Sequence, residues 1–117
     1  MRVIIAGSRE IDDYDLLCRV IESSGFNITE IVSGGCRGPD KLGERWAREH
    51  NIPIKRFLAQ WKKYGKRAGP IRNIEMVEYV GNDGGAIFLW DGKSRGTKHC
   101  IESAEDNGLR IYINIQQ

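Results

Sequence analysis

The sequence predicts an α/β protein built on a mainly parallel five-stranded sheet. Short apolar runs rich in β-branched residues alternate along the chain with stretches whose apolar residues recur at helical spacing. Glycine-containing loops follow several of the apolar runs. Strands that alternate with helices form parallel sheets covered on both faces, with right-handed crossovers. We therefore expect a three-layer, Rossmann-like sandwich.

The N-terminal half of the chain shows this alternation most regularly. Its first helix places Leu17, Val20 and Ile21 on one face, and Gly25 stops it. Pro39 occupies a favoured first-turn position, so a second helix is expected to begin there. The predicted elements are strands at residues 2–6, 28–32 and 54–58 and helices at about 13–24 and 39–50.

The C-terminal half continues the pattern. A helix beginning at Gly69 carries Ile71, Ile74 and Val77 at three-residue spacing. Thr97 is a natural N-cap for the last helix, because its hydroxyl can accept from a backbone N–H of the first turn. The remaining signals are strands at residues 85–90 and 109–115 and a helix stop at 107–108.

Length and composition limit the function classes. We expect one domain over residues 1–117, since this length can bury a real core. A formal net charge of +2 argues against a dedicated nucleic-acid binder or a membrane-surface protein. With no membrane-spanning run and no signal-peptide pattern, we expect a cytoplasmic protein. Cys18, Cys36 and Cys100 are odd in number and far apart, which favours reduced thiols; no metal site or cofactor is indicated.

Four loops are predicted to meet at one edge of the sheet. Every loop that leaves the C-terminal end of a parallel strand lies on the same edge, and ligands bind there. These loops are rich in glycine, hydroxyl and basic residues, whereas the turns at the opposite edge are plain connectors. The contrast favours an anionic, phosphorylated ligand. The loops are residues 7–10, 33–40, 59–69 (the longest irregular stretch) and 91–97.

The loop at residues 33–40 joins a strand to a helix through three glycines. Backbone N–H groups at a helix N-terminus bind anions, and Arg37 offers a bidentate donor beside them. The spacing is neither that of a dinucleotide fingerprint nor that of a Walker A loop. The alternative is a tight turn in which the glycines only meet backbone needs. Cys36 is interpreted as a bystander, because the sequence places no base beside the thiol. His99, near the start of the last helix, is interpreted as a surface residue rather than a catalyst.

Between Lys55 and Arg72 the chain has seven basic residues and no acidic one. Phe57, Trp61 and Tyr64 are interleaved with them. One interpretation is a flap that stacks an aromatic ring on a base and neutralises phosphates. The other is a solvated basic loop with Trp61 or Tyr64 packed on the core. One basic loop in a domain of this net charge does not indicate a nucleic-acid partner.

Four motifs in this order resemble the YspA-like branch of the SLOG superfamily, which also contains the Smf/DprA proteins and the Lonely-guy phosphoribohydrolases. They are AGSR at 6–9, SGGCRGPD at 33–40, AGPIRN at 68–73 with Met76, and WDGKSRGT at 90–97. The resemblance covers nearly the whole chain. It implies a Rossmann-like domain that binds nucleotides or nucleotide-derived molecules, and SLOG domains also sense nucleotide signals in bacterial and phage conflict systems.

The loops and the resemblance together give the expected site. The partner is a nucleotide-type small molecule, bound by either a monomer or a homo-oligomer, as a sensor or sponge of a signalling nucleotide. The expected ligand-binding residues are Gly7, Ser8, Arg9, Ser33, Gly34, Gly35, Arg37, Gly38, Asp40, Trp61, Arg72, Asn73, Asp91, Ser94, Arg95, Gly96 and Thr97.

The alternative function is nucleotide N-glycosidase activity. Lonely-guy enzymes cleave the N-glycosidic bond of nucleoside monophosphates with an arginine on the third helix and a glutamate just after a G-G-x-G-T loop. Arg72 matches the arginine, but the glutamate position holds Cys100, and Glu102 points to a different helical face. Since an oxocarbenium-like transition state needs a carboxylate near the ribose, we expect from this departure that the domain binds ordinary nucleoside monophosphates without turnover. The catalytic candidates of the alternative are Arg72 and Glu75, with Glu10, Asp40 and Asp91 as further carboxylates.

Overall fold

Strands and helices alternate along the chain in a computed structural model, which describes residues 1–116. Between the third strand and the fourth, three helical segments follow one another directly. The elements are β1 (Arg2–Gly7), α1 (Tyr14–Ser24), β2 (Glu30–Ser33), α2 (Pro39–Glu49), β3 (Ile54–Arg56), α3 (Trp61–Tyr64), a 3₁₀ turn (Gly65–Arg67), α4 (Ala68–Val80), β4 (Gly85–Trp90), α5 (Arg95–Asp106) and β5 (Arg110–Ile115).

The five strands form one all-parallel sheet in the order β3-β2-β1-β4-β5. On one side of β1, Val3 pairs with Ile31 of β2, and on the other side it pairs with Gly85 of β4. After β1, the strands β2 and β3 are added on one side of it, whereas β4 and β5 are added on the other side. The strand order therefore reverses between β1 and β4. This confirms the predicted α/β, Rossmann-like fold with a parallel five-stranded sheet, and it places a crevice beside the ends of β1 and β4.

Helices cover both faces of the sheet, and each face has its own apolar core. Because side chains alternate along a strand, Val3 and Ile5 pack into one core with Leu17 of α1. Ile4 packs into the other core with Met76 of α4. The three layers therefore arise from the continuous apolar run of β1, which is buried on both sides.

Local hydrogen bonds explain the element boundaries. Asp13 caps α1, since its carboxylate accepts from the N–H of Leu16 at 3.0 Å. The third strand is shorter than the predicted 54–58, because β2 ends at Ser33 and can pair no further. The Ser33 carbonyl takes the N–H of Phe57 at 2.8 Å, and Leu58 beyond it is exposed. The second strand likewise begins at Glu30 rather than 28, opposite the start of β1.

The lack of an apolar period predicts an irregular stretch at 59–69, and this prediction is wrong. It contains α3 and the 3₁₀ turn, and α4 already begins at Ala68. The N–H groups of Lys63 and Tyr64 both reach the carbonyl oxygen of Gln60 at 3.0 Å, so a single turn closes by backbone bonds alone. None of the side chains of α3 is buried, and a helix with no buried face shows no periodic signal.

Two further expectations are corrected. Ser94, not Thr97, is the N-cap of α5, because its hydroxyl accepts from the N–H of Thr97 and the helix begins at Arg95. Ile74 is 44% exposed rather than buried. The buried face of α4 includes two polar residues, Arg72 and Asn73, which a search for apolar spacing passes over.

Candidate functional site

A cavity of about 540 Å³ opens at the carboxyl edge of the sheet, where the predicted loops meet. Residues from β1 and from the loops after β1, β2 and β4 form its walls, together with one face of α4 and the first turns of α5. Of the predicted ligand-binding residues, the cavity is lined by Gly7, Ser8, Arg9, Asp40, Trp61, Arg72, Asn73, Asp91, Ser94, Arg95, Gly96 and Thr97.

Other predicted residues lie outside this lining. Arg37 is mostly exposed, and its guanidinium pairs with the exposed carboxylate of Glu10. Glu75 is exposed on the outer face of α4. The remaining residues outside the lining are Ser33, at the end of β2, and Gly34, Gly35 and Gly38, in the loop between β2 and α2.

Two backbone N–H groups of that glycine-rich loop donate to side chains of the loop itself. The N–H of Gly35 donates to the hydroxyl of Ser33 at 3.0 Å, and the N–H of Cys36 donates to Oδ2 of Asp40 at 3.1 Å. A Cβ atom at Gly34 would stand 2.5 Å from Nη1 of Arg72, so only glycine permits this approach. The loop therefore supports two charged side chains, while the N–H groups of Arg37 and Gly38 have no acceptor among the described residues.

A buried carboxylate braces the same loop from behind. Glu44 is 1% exposed, accepts from the hydroxyl of Ser33 at 2.7 Å and pairs with Arg56 at 2.8 Å. Burial alone would raise the pKa of Glu44, but the hydrogen bonds from Arg56 and Ser33 outweigh it and lower that pKa. Arg56, one of the seven basic residues between 55 and 72, is thus engaged in an ion pair within the fold.

Arg72 is 8% exposed, and no acidic side chain forms an ion pair with it among residues 1–116. Its Nε donates to Oδ1 of Asn73 at 3.1 Å, and Nη1 donates to the carbonyl oxygen of Gly34 at 2.8 Å. Both Nη atoms also lie 3.9 Å from Sγ of Cys36. Nη2 has only this sulfur as a partner, so the guanidinium keeps N–H donors for a group inside the cavity.

Asp40 supplies the negative charge nearest to Arg72 in this wall. Its side chain is 5% exposed, and it lies close to the guanidinium without an ion pair. Burial raises the pKa of Asp40 to about 6, although the N–H of Cys36 and the charge of Arg72 both act against this rise. The carboxyl group is therefore ionised at neutral pH and partly protonated in mild acid.

Asn73 connects Arg72 to the start of α5 through an amide of fixed orientation. Its Oδ1 accepts from the Arg72 guanidinium, which can only donate, so Nδ2 is the donor on its other side. Nδ2 donates to the carbonyl oxygen of Gly96 at 3.3 Å and lies 3.3 Å from Nδ1 of His99. This contact favours the His99 tautomer in which Nδ1 accepts and Nε2 carries the proton.

The loop before α5 is shaped by Asp91. Its Oδ1 accepts from the N–H groups of Lys93 and Ser94, both at 2.8 Å, and these bonds lower the pKa of Asp91. In the part of the chain that the structure describes, the first-turn N–H groups of Arg95 and Gly96 have no acceptor. Unpaired N–H groups at the start of a 12-residue helix attract an anion.

Sequence reasoning missed several side chains of the cavity wall. His99 was expected at the surface, yet it lines the cavity one turn after Gly96. Cys100, at the position of the Lonely-guy glutamate, also faces the cavity, and burial raises its pKa to about 12, so it is a neutral thiol. Extending the predicted loop by one helical turn, at three- and four-residue spacing, would have found both. The other lining residues outside the predicted set are Ala6, Glu10, Cys36, Gly69, Pro70 and Met76.

Within residues 1–116, no cluster of three or more His, Cys, Asp or Glu side chains is placed to hold a metal ion. No helix in the same range is long and apolar enough to cross a membrane.

Comparisons with known proteins agree with the motifs. A family model described as the YspA, cpYpsA-related SLOG family matches residues 1–64. The Gene 61 protein of Mycobacterium phage D29 is 36% identical over 119 residues, which cover 94% of this chain and 93% of that protein. No solved structure matches.

Proposed function

Because the chain belongs to the YspA, cpYpsA-related SLOG family, we propose that it binds a nucleotide or a nucleotide-derived, phosphorylated ligand in the cavity at the carboxyl edge of the sheet. Membership of this family implies nucleotide-related ligand binding in general. We further propose a role as sensor or sponge of a signalling nucleotide in conflict between phage and host; a relative with 36% identity is a phage protein, which agrees with the setting of this proposal.

The observation that carries the proposal is the buried guanidinium of Arg72. Charged side chains this deeply buried are normally paired with an opposite charge, and Arg72 forms no ion pair among the described residues, although the charge of Asp40 lies nearby. Arg72 lines the same cavity as the start of α5. An anionic ligand would complete the pairing by charged hydrogen bonds.

The phosphate is better placed at the start of α5 than in the glycine-rich loop. That loop uses two of its N–H groups, those of Gly35 and Cys36, on its own side chains, and it carries the negative charge of Asp40, which repels a phosphate. At the start of α5, the N–H groups of Arg95 and Gly96 have no acceptor within the described chain. The Arg95 side chain adds a positive charge to the same wall.

Trp61 gives the ligand's base a place to stack. Its ring is 52% exposed at the mouth of the cavity, close to Gly69 at the start of α4. An exposed indole beside an anion site stacks on any nucleobase, because every base offers a π-face. The exposed basic residues of α3 and the 3₁₀ turn would attract anions to this mouth.

The proposal is tested by a thermal-shift panel of inorganic phosphate, nucleoside mono-, di- and triphosphates and ADP-ribose, followed by calorimetry on the strongest. A ligand that binds only the folded state raises Tm by mass action. Arg95→Ala should weaken binding about tenfold, as expected for a charged hydrogen bond. Lys98→Ala, which removes a charge from the same helix outside the cavity, should bind as the unmodified protein. A panel without any shift would contradict the proposal.

N-glycosidase activity is the second candidate, favoured by one specific observation. The carboxyl group of Asp40 lies in the cavity beside Arg72 with its pKa raised to about 6, a value suited to acid–base work near neutral pH. Incubation of the protein with AMP, followed by chromatography for adenine, tests it. Release that exceeds a heat-killed control, and that Asp40→Asn abolishes, would establish turnover.

A further inference from the structure

We propose that Asp40 selects the ligand: its free carboxylate oxygen accepts a hydrogen bond from a ribose hydroxyl of a ribose 5-phosphate unit whose phosphate lies at the start of α5. This inference rests on the proposed function and names the part of the ligand that the deep end of the cavity recognises.

Only one oxygen of the Asp40 carboxylate has a partner. Oδ2 accepts from the N–H of Cys36 at 3.1 Å, whereas Oδ1 has no hydrogen-bond partner among residues 1–116. In that range no fully enclosed side-chain nitrogen or oxygen lacks a partner, so Oδ1 must face open space. The space that Asp40 borders is the cavity. A side chain only 5% exposed that turns an unpaired acceptor into a cavity marks the position of a ligand's donor.

The charge of Asp40 excludes one part of the ligand and suits another. A carboxylate repels a phosphate in a weakly screened site, so the phosphate cannot sit against Oδ1. Hydroxyl groups are donors, and a hydrogen bond to an ionised acceptor is stronger than one between neutral groups. Asp40 therefore fits a neutral, hydroxyl-bearing part of the ligand.

The layout of α4 identifies that part as the sugar. Arg72 lies against the Asp40 end of the cavity through its bond to Gly34, and the next residue, Asn73, bonds to Gly96 at the start of α5. Two adjacent side chains thus span from the carboxylate to the phosphate position. In a nucleotide the group bonded directly to the phosphate is the pentose, whereas the base lies farther away. The base is then left for the mouth of the cavity, where Trp61 is exposed.

An aspartate at position 40 lowers the stability of the folded state. The raised pKa of Asp40, about 6, means that burial disfavours the charged form present at neutral pH. An asparagine would accept the same N–H from Cys36 without a charge. Groups that are unfavourable for the fold yet face a cavity are typical of functional sites.

The test is a set of NMR titrations of the full chain with inorganic phosphate, ribose 5-phosphate and AMP. Asp40→Asn keeps an acceptor for the N–H of Cys36 but turns a donating NH₂ group toward the cavity, so it cannot accept from a hydroxyl. Asp83→Asn makes the same chemical change in the exposed turn before β4, at the opposite edge of the sheet.

We expect the unmodified protein to bind ribose 5-phosphate about tenfold or more tightly than inorganic phosphate. Asp40→Asn should lower the affinity for ribose 5-phosphate by about tenfold or more, the loss expected for a charged hydrogen bond, and should leave phosphate binding equal or tighter. Asp83→Asn should change neither. Retained phosphate binding, whether equal or tighter, also shows that the Asp40 variant is folded.

Three results would overturn the inference. Equal affinity for ribose 5-phosphate and phosphate, or equal effects of the two variants, would remove the sugar from Asp40 while phosphate binding and the proposed function stand. Sensitivity of AMP binding alone to Asp40→Asn would place the donor on the base instead. Absence of any shift with all three probes would contradict the proposed function itself.

Discussion

Nη1 of Arg72 lies 2.8 Å from the carbonyl oxygen of Gly34, and this bond fixes a helix of one sheet face to the loop that leaves β2. The approach depends on a missing side chain, since a Cβ at Gly34 would also stand 2.8 Å from Oδ2 of Asp40. The site is thus assembled by close packing of two charged groups around a glycine.

The first prediction concerns that glycine. Gly34→Ala should displace Arg72 or Asp40, lower the free energy of unfolding by about 1–3 kcal/mol, the usual cost of overpacking, and weaken phosphate binding. Gly96→Ala is the matched control for stability, because a Cβ there meets no atom within 4 Å. In a helix this second change should be neutral or stabilising. Urea unfolding of both variants measures the difference, and equal destabilisation would contradict the packing explanation.

The second prediction is the pH dependence of stability. The pKa of Asp40 is about 6 in the folded chain and about 3.9 when unfolded, so the folded state binds the proton more tightly. Its contribution is most favourable below pH 4, declines between pH 4 and 6, and stays at its least favourable above pH 6. Without ligand, Asp40→Asn should therefore exceed the unmodified protein in stability at pH 8, by on the order of 2–3 kcal/mol, and lose this advantage at pH 4. An advantage independent of pH would show that the carboxylate is not the cause.

The third prediction concerns Asn73 as a positioning residue. Asn73→Asp retains the acceptor for Arg72 but replaces the donor to Gly96 by an oxygen, so the start of α5 should shift. Phosphate affinity should fall about tenfold, which corresponds to the loss of about 1.4 kcal/mol. Nitrogen-15 spectra should show His99 protonated on Nε2 in the unmodified protein and altered in the variant. An unchanged His99 spectrum would contradict the network.

The fourth prediction separates the brace from the site. Arg56→Ala removes a partner of the buried Glu44, whereas Lys55→Ala changes the neighbouring residue, whose ammonium lies over Phe57. We expect Arg56→Ala to lower the free energy of unfolding at pH 7, by less than the loss of a fully buried ion pair, because the Arg56 side chain is half exposed. The lowered pKa of Glu44 implies that this loss shrinks as pH falls and the carboxylate is protonated. Under conditions in which Arg56→Ala is fully folded, its ligand affinity should equal that of the unmodified protein.

Local sequence signals predicted the sheet well, because β-branched runs indicate strands and apolar residues at helical spacing indicate helices without any knowledge of tertiary contacts. They failed where tertiary contacts decide. The helix-terminus rule pointed to Arg37, but its side chain turns to Glu10, a contact made only once β1 and β2 are paired. Ser94 rather than Thr97 is the N-cap, because Asp91 accepts from the N–H of Ser94 and thereby fixes the turn before the helix. No local pattern indicates such choices.

The same limit explains the site. Arg72 lies on the cavity as the family motif implied, but its missing partner follows from the packing around Gly34, which no spacing rule contains. His99 was passed over since the loops were taken to end at residue 97, whereas the cavity continues along the first turns of α5.

The most direct test of the central claim is a ¹H–¹⁵N map of the protein during titration with AMP and, separately, inorganic phosphate. Both ligands should shift the amide signals of Gly96 and Thr97 and the guanidinium signal of Arg72, because the phosphate is expected between the start of α5 and that side chain. Only AMP should also shift the indole signal of Trp61. Shifts confined to Gly35 and Arg37, with Gly96 and Arg72 unchanged, would contradict the account.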